Sequence, residues 1–154
     1  MRIAQLTPAH AADVCSWRYL APYDCYDMTS AVPEELLDPT VGFHALLDDA
    51  DRLIGFRSFG PDGRVPGWEY DDSALDTGGG LRPDLVGRGL GRTAIGTALE
   101  HGRAVFSPPA FRVTVASFNL RALRTVESLG FQRIGRFDAT TDGRSFEVLV
   151  RPER

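Results

Sequence analysis

Lysine is absent from the 154 residues, and all 17 basic residues are arginine. That excludes a lysine Schiff base and the lysine of a Walker loop. Cysteine is nearly absent. Cys15 and Cys25 are the only two, which fits neither a disulfide framework nor a zinc pattern. The histidines, His10, His44 and His101, share no ligand spacing, so no metal site is expected. The first eight residues lack a signal-peptide core, and no run approaches the ~18–20 apolar residues of a membrane span. A soluble cytoplasmic protein without a membrane partner is the expectation. Excess positive charge is also missing. Twenty-one acidic residues leave a net charge of −4, which does not suggest a nucleic-acid partner.

What remains is ordinary for one soluble domain over residues 1–154, with 43% hydrophobic and 25% charged residues. Residues 2–6 alternate polar and apolar, as a strand does. Thr7-Pro8 combines a hydroxyl cap with proline at the first helical position, and the pattern predicts a helix to about residue 19, ended by Pro22. A second helix is expected over 30–37. Apolar runs at 43–47 and 53–59 around a polar turn read as a hairpin. A strand over 74–82 precedes a glycine-rich turn and a helix from 89 to 106. Residues 111–116 alternate as a strand. Asn119 is a helix cap, with Gly130 at the far end. Strands at 131–137 and 145–150 close the chain. The strand–helix–strand crossover implies a parallel pair and the hairpins antiparallel ones. The fold class is therefore α+β with a mixed sheet.

The most informative stretch is Leu75-Asp76-Thr77-Gly78-Gly79-Gly80-Leu81-Arg82-Pro83-Asp84-Leu85-Val86-Gly87-Arg88-Gly89-Leu90-Gly91-Arg92. Its glycines place side-chain-free backbone where a helix begins. Unpaired N–H groups and a partial positive charge there favour an anion such as phosphate. Three motifs compete. A Walker loop would need lysine where Arg92 stands and glycine where Val86 stands. A dinucleotide fingerprint would need its third glycine at Arg92, and it starts too late in the chain. The third, 86–91, resembles the Arg/Gln-x-x-Gly-x-Gly pyrophosphate loop of the GNAT superfamily of N-acetyltransferases. Asn119-Leu120-Arg121-Ala122 with Leu129-Gly130-Phe131 is similar to a second signature of that superfamily, and the element order matches it from end to end. The chain is identified as resembling a small, single-domain bacterial member.

The resemblance implies a mostly antiparallel sheet flanked by helices, with a parallel strand pair splayed around the cofactor cleft. It implies acetyl-CoA as co-substrate and a small-molecule or peptide amine as acceptor, joined by direct attack in a ternary complex. It admits a homodimer. Its cofactor residues would be Gly79, Gly80 and Leu81 along the pantetheine arm, Gly87, Arg88, Gly89, Leu90, Gly91 and Arg92 at the pyrophosphate, and Asn119. A bulge is expected in the glycine strand, with the Leu81 backbone N–H as oxyanion donor. The departures matter as well. Val126 stands where many members carry a tyrosine acid, and Leu75 where some carry a glutamate base. Asp76 or Glu69, through water, are the substitute base candidates beside Asp71 and Asp72, and Ser117 is a weaker acid candidate. Trp17, Tyr19, Tyr23 and Tyr26 either pack or line an acceptor pocket. Val126 also favours a rival, a non-catalytic acyl-CoA-binding domain of this fold. A nucleotide-binding protein using the glycine turn is the second rival.

Overall fold

The computed structural model describes residues 1–153. Its strands are β1 (Arg2–Gln5), β2 (Phe43–Leu47), β3 (Leu53–Phe59), β4 (Leu75–Leu81), β5 (Ala110–Ala116), β6 (Gln132–Asp138) and β7 (Ser145–Pro152). The helices are α1 (Pro8–Ser16), α2 (Pro33–Leu36), α3 (Gly91–Phe106) and α4 (Leu120–Ser128). All seven strands form one sheet in the order β1-β2-β3-β4-β5-β7-β6. Every neighbouring pair is antiparallel except β4 with β5.

Local chemistry explains most boundaries. Thr7 caps α1 by accepting from the His10 N–H, and the His10 ring accepts from the Thr7 N–H in return. The helix stops at Ser16 rather than near residue 19. Trp17 turns extended there and buries its indole against Phe56, while Arg18 donates to the Cys15 and Trp17 carbonyls. The second helix is also shorter than expected. Pro33 lacks an N–H and belongs in a first turn, so α2 begins there and not at residue 30. α3 ends on Ser107, in left-handed conformation, just before the two prolines.

Cross-strand pairs assign the two faces. Ala45, Leu47, Leu53 and Phe56 pack under α1 and α2. Leu75, Phe111, Val113 and Leu149 pack under α3 and α4 with Leu99, Leu123 and Val126. The expected bulge in the glycine strand is not there: β4 pairs with β3 in unbroken register from Thr77↔Phe59 to Leu81↔Gly55. The sheet's irregularities lie instead at Leu46/Leu47 and Arg133/Gly135. The strand opens on its other side. β4 and β5 pair only at Leu75↔Phe111 and Asp76↔Arg112 and then diverge.

Candidate functional site

The divergence leaves one edge of β4 unpaired, and the register shows which atoms it offers. Arg82 N–H donates to the Ile54 carbonyl and Gly60 N–H to that of Asp76, both at 2.8 Å. Hydrogen-bonded pairs alternate along an antiparallel ladder. The backbone groups of Asp76, Gly78 and Gly80 therefore face β3, and those of Thr77, Gly79 and Leu81 face the open edge. The Leu81 carbonyl is covered by the Tyr19 hydroxyl, which donates to it at 2.6 Å. Burial and nearby Asp27 push that phenol up to about 12. A cleft of about 370 Å³ runs along this edge between β4 and β5, with Ile95, Ala122 and Val126 along one wall and Tyr19, Tyr23 and Tyr26 along another.

At the cleft's mouth lies the turn into α3. Gly87 and Gly89 have φ of +79° and +78°, a region only glycine adopts freely. Unlike α1 and α4, α3 has no side-chain cap at its N-terminus. The first of its N–H groups taken within the chain is that of Ala94, by the Leu90 carbonyl at 2.9 Å. The preceding amides point outward with the positive end of a 16-residue helix behind them. A Cβ at position 87 would lie 3.5 Å from the Arg121 guanidinium, so a cation flanks the turn. Arg88 and Arg92 are exposed beside it. The donors suit a phosphate-bearing ligand.

The profile of the acetyltransferase (GNAT) family matches residues 10–131. The chain belongs to this family. No curated protein sequence matches it. Solved structures carry the same fold at low identity. A spermidine N-acetyltransferase chimera from Vibrio cholerae and hSSAT superposes at a TM-score of 0.75 with 16% identity, over 99% of this chain and 96% of that one. A GNAT-family acetyltransferase from Bacillus anthracis gives 0.74 and 13%, over 97% and 93%. AAC(6')-Ib, solved with ribostamycin and coenzyme A, gives 0.73 and 18%, over 99% and 93%. The family makes the chain an acyl-CoA-dependent N-acetyltransferase.

The acetyltransferase cleft gathers some of the residues expected from the sequence and leaves others outside. Gly79, Gly80, Leu81, Gly91 and Asn119 line it. Asn119 caps α4 by accepting from the Ala122 N–H and donates to the Tyr26 hydroxyl at 3.1 Å. Trp17 is core, but Tyr19, Tyr23 and Tyr26 all reach the lining. The base candidates do not. Asp76 is 1% exposed, on the opposite face; Arg112 Nε and Nη2 donate to its two oxygens at 2.7 Å, and Arg64 Nε donates at 2.8 Å. Both oxygens are held by guanidinium groups away from the cleft, so the structure opposes the expected base role. Glu69 is exposed in the loop before β4, away from the lining. Ser117 pairs its hydroxyl with that of Ser145 at 2.9 Å, also outside it. Asp71 and Asp72 are exposed; Asp71 is held below the usual carboxylate range by hydrogen bonds from Ser73 and Arg112.

Among the described lining residues, Arg57 and Arg121 carry charge and no Asp or Glu appears. The sequence reading missed both arginines. The signal for Arg57 was a single charge inside the otherwise apolar run 53–59. For Arg121 it was its place two residues after the helix cap, one turn from Thr125. Gly79 also differs from expectation. A Cβ there would meet the Phe56 carbonyl oxygen and, at 2.6 Å, Arg57 Cδ. The protein's own packing already demands glycine, before any ligand is considered.

Proposed function

We propose that this acetyltransferase moves an acetyl group from acetyl-CoA to the amine of a small molecule or peptide by direct attack in a ternary complex. The observation that carries the reading is the uncapped α3 N-terminus with Gly87 and Gly89, placed at the mouth of a cleft whose floor is an unpaired strand edge. The outward amides of residues 87–92 hold the pyrophosphate, helped by the helix dipole and the charge of Arg121, Arg88 and Arg92. The pantetheine arm adds to the β4 edge as an extra strand. Bound there, acetyl-CoA supplies an activated thioester.

The protein's part is placement and electrostatics. The N–H groups of Gly79 and Leu81 face the thioester carbonyl, and one of them meets its developing oxyanion. Tyr19, Tyr23 and Tyr26 wall the acceptor side, and the acceptor's proton passes to water. The spermidine and aminoglycoside enzymes of the same fold act on amines, which supports an amine acceptor here. Thermal denaturation with three ligands tests the donor. Acetyl-CoA at ~100 times its Kd stabilises by about 2.7 kcal/mol, a rise in Tm of roughly 5–10 °C for a chain of this size. Stabilisation by ATP or NAD but not by acetyl-CoA overturns the reading.

A further inference from the structure

Arg57 differs from every other buried cation of the described residues. It is 7% exposed, yet no carboxylate pairs with it. Its Nη2 donates to Thr77 Oγ1 at 3.1 Å, and its Nε has no partner. Arg112, buried as well, is neutralised by Asp76 and Asp71. A buried charge without a counter-ion is costly. Burial alone already pushes the Arg57 guanidinium down to about 10. Such a cation is explained if its anion arrives with a ligand.

Its location says which anion. Arg57 is the cross-strand partner of Gly79, and its side chain runs over that glycine on the α3 and α4 face. The guanidinium ends at Thr77, the first residue after the last β4–β5 pair. The phosphate turn lies at the opposite end of the cleft. From Leu81 to Thr77 the strand spans about 13 Å. An arm laid along the open edge, with its phosphates at 87–92, brings its sulfur end to Arg57. On α4, the apolar side chain of Val126 lines the same cleft and offers no proton.

We infer that Arg57 is the cation that receives the departing sulfur of acyl-CoA and holds it as a thiolate. This rests on the acetyltransferase mechanism above. The amine lone pair forms the C–N bond to the thioester carbon. The C–S bond breaks with its electron pair on sulfur, and the amine's proton goes to water. Arg57 stays protonated throughout, and the thiolate takes a proton from solvent after release. Thr77 is a positioning residue that fixes the guanidinium.

The test is a titration of the thiol of protein-bound CoA by its thiolate ultraviolet absorbance. In the wild type the bound thiol ionises about one unit or more below that of free CoA titrated beside it, a tenfold rise in thiolate fraction at neutral pH. Arg57→Gln returns it to the free value or above, and Arg57→Lys keeps most of the shift. In steady state, R57Q lowers kcat about a hundredfold and leaves the KM for acetyl-CoA nearly unchanged. An unshifted thiol in the wild type overturns the inference, whether or not R57Q folds. Equal thiol pKa values in wild type and R57Q overturn it even if kcat falls. Failure of CoA to bind the wild type overturns the donor reading and this inference together.

Discussion

Replacing Asp76 with asparagine separates a structural role from a catalytic one at a residue whose sequence context suggested a base. The carboxylate is buried and accepts three hydrogen bonds from two guanidinium groups. Removing its charge leaves Arg112, 3% exposed, without its main partner. Breaking a buried pair from one side costs about 3–5 kcal/mol. The replacement amide still offers one acceptor oxygen, and Arg112 keeps the Asp71 carbonyl at 2.8 Å and the Tyr70 ring 5.0 Å away. The lower end, about 3 kcal/mol, is therefore the expectation. For a domain of this size that lowers Tm by roughly 6–12 °C. Urea denaturation and calorimetry read the loss. The rate per folded molecule stays within about threefold of wild type and its pH profile keeps its shape, because the group lies on the far face of β4. Adding Arg112→Gln restores part of the stability, since the orphaned charge is gone. A D76N protein with unchanged Tm and a rate ~100-fold lower refutes the reasoning and returns Asp76 to the role of base.

Other substitutions probe the turn, the packing and the remaining candidates. Gly89→Val adds a side chain with nothing within 4 Å of its Cβ, so its effect comes from the backbone, about 1–2 kcal/mol of strain at positive φ. Calorimetry should show the Kd for acetyl-CoA rising tenfold or more; unchanged affinity removes the turn from the donor site. Gly55→Ala drives a Cβ to 2.5 Å from the Gly80 carbonyl oxygen, costing about 2 kcal/mol of stability in a denaturant melt. Tyr19→Phe loses the hydrogen bond to the Leu81 carbonyl and about 1 kcal/mol. Its phenol is pushed up to about 12 by burial, so it stays protonated from neutral to mildly alkaline pH. The kcat/KM–pH profile therefore keeps its shape in Y19F, and a profile that changes shape counts against the assignment. Glu69→Gln and Ser117→Ala leave kcat within about threefold, as side chains outside the cleft should.

The elements legible in the sequence were those decided locally. The apolar runs of β2 and β3 and the polar turn between them appear at the expected residues because both faces of these strands are covered, which makes each a short continuous apolar run. α3 is long, and its glycine turn and terminal prolines bound it. The early helices were misjudged where tertiary contacts decide. Trp17 leaves the helix to reach the core, and Pro33 governs where α2 starts. The divergence of β4 from β5 was anticipated through the resemblance, but the means was not: the strand is regular, and the cleft comes from two paired residues followed by separation. The site's electrostatics lay furthest from view. Asp76 meets Arg112, 36 positions away, and Arg57 reaches Thr77 only through the register that sets it over Gly79. A single sequence without its pairing does not carry such contacts.

The central claim is chemical, and a coupled measurement tests it most directly. The purified chain is mixed with acetyl-CoA and one amine at a time from a panel of polyamines, aminoglycosides, arylalkylamines and amino-terminal peptides. Free thiol and the acetylated amine, identified by mass spectrometry, are followed together. The account predicts amine-dependent thiol release matched one for one by acetylated product, with both falling together in G89V at sub-saturating acetyl-CoA. Binding of acetyl-CoA with no amine-dependent thiol release across the panel would contradict it.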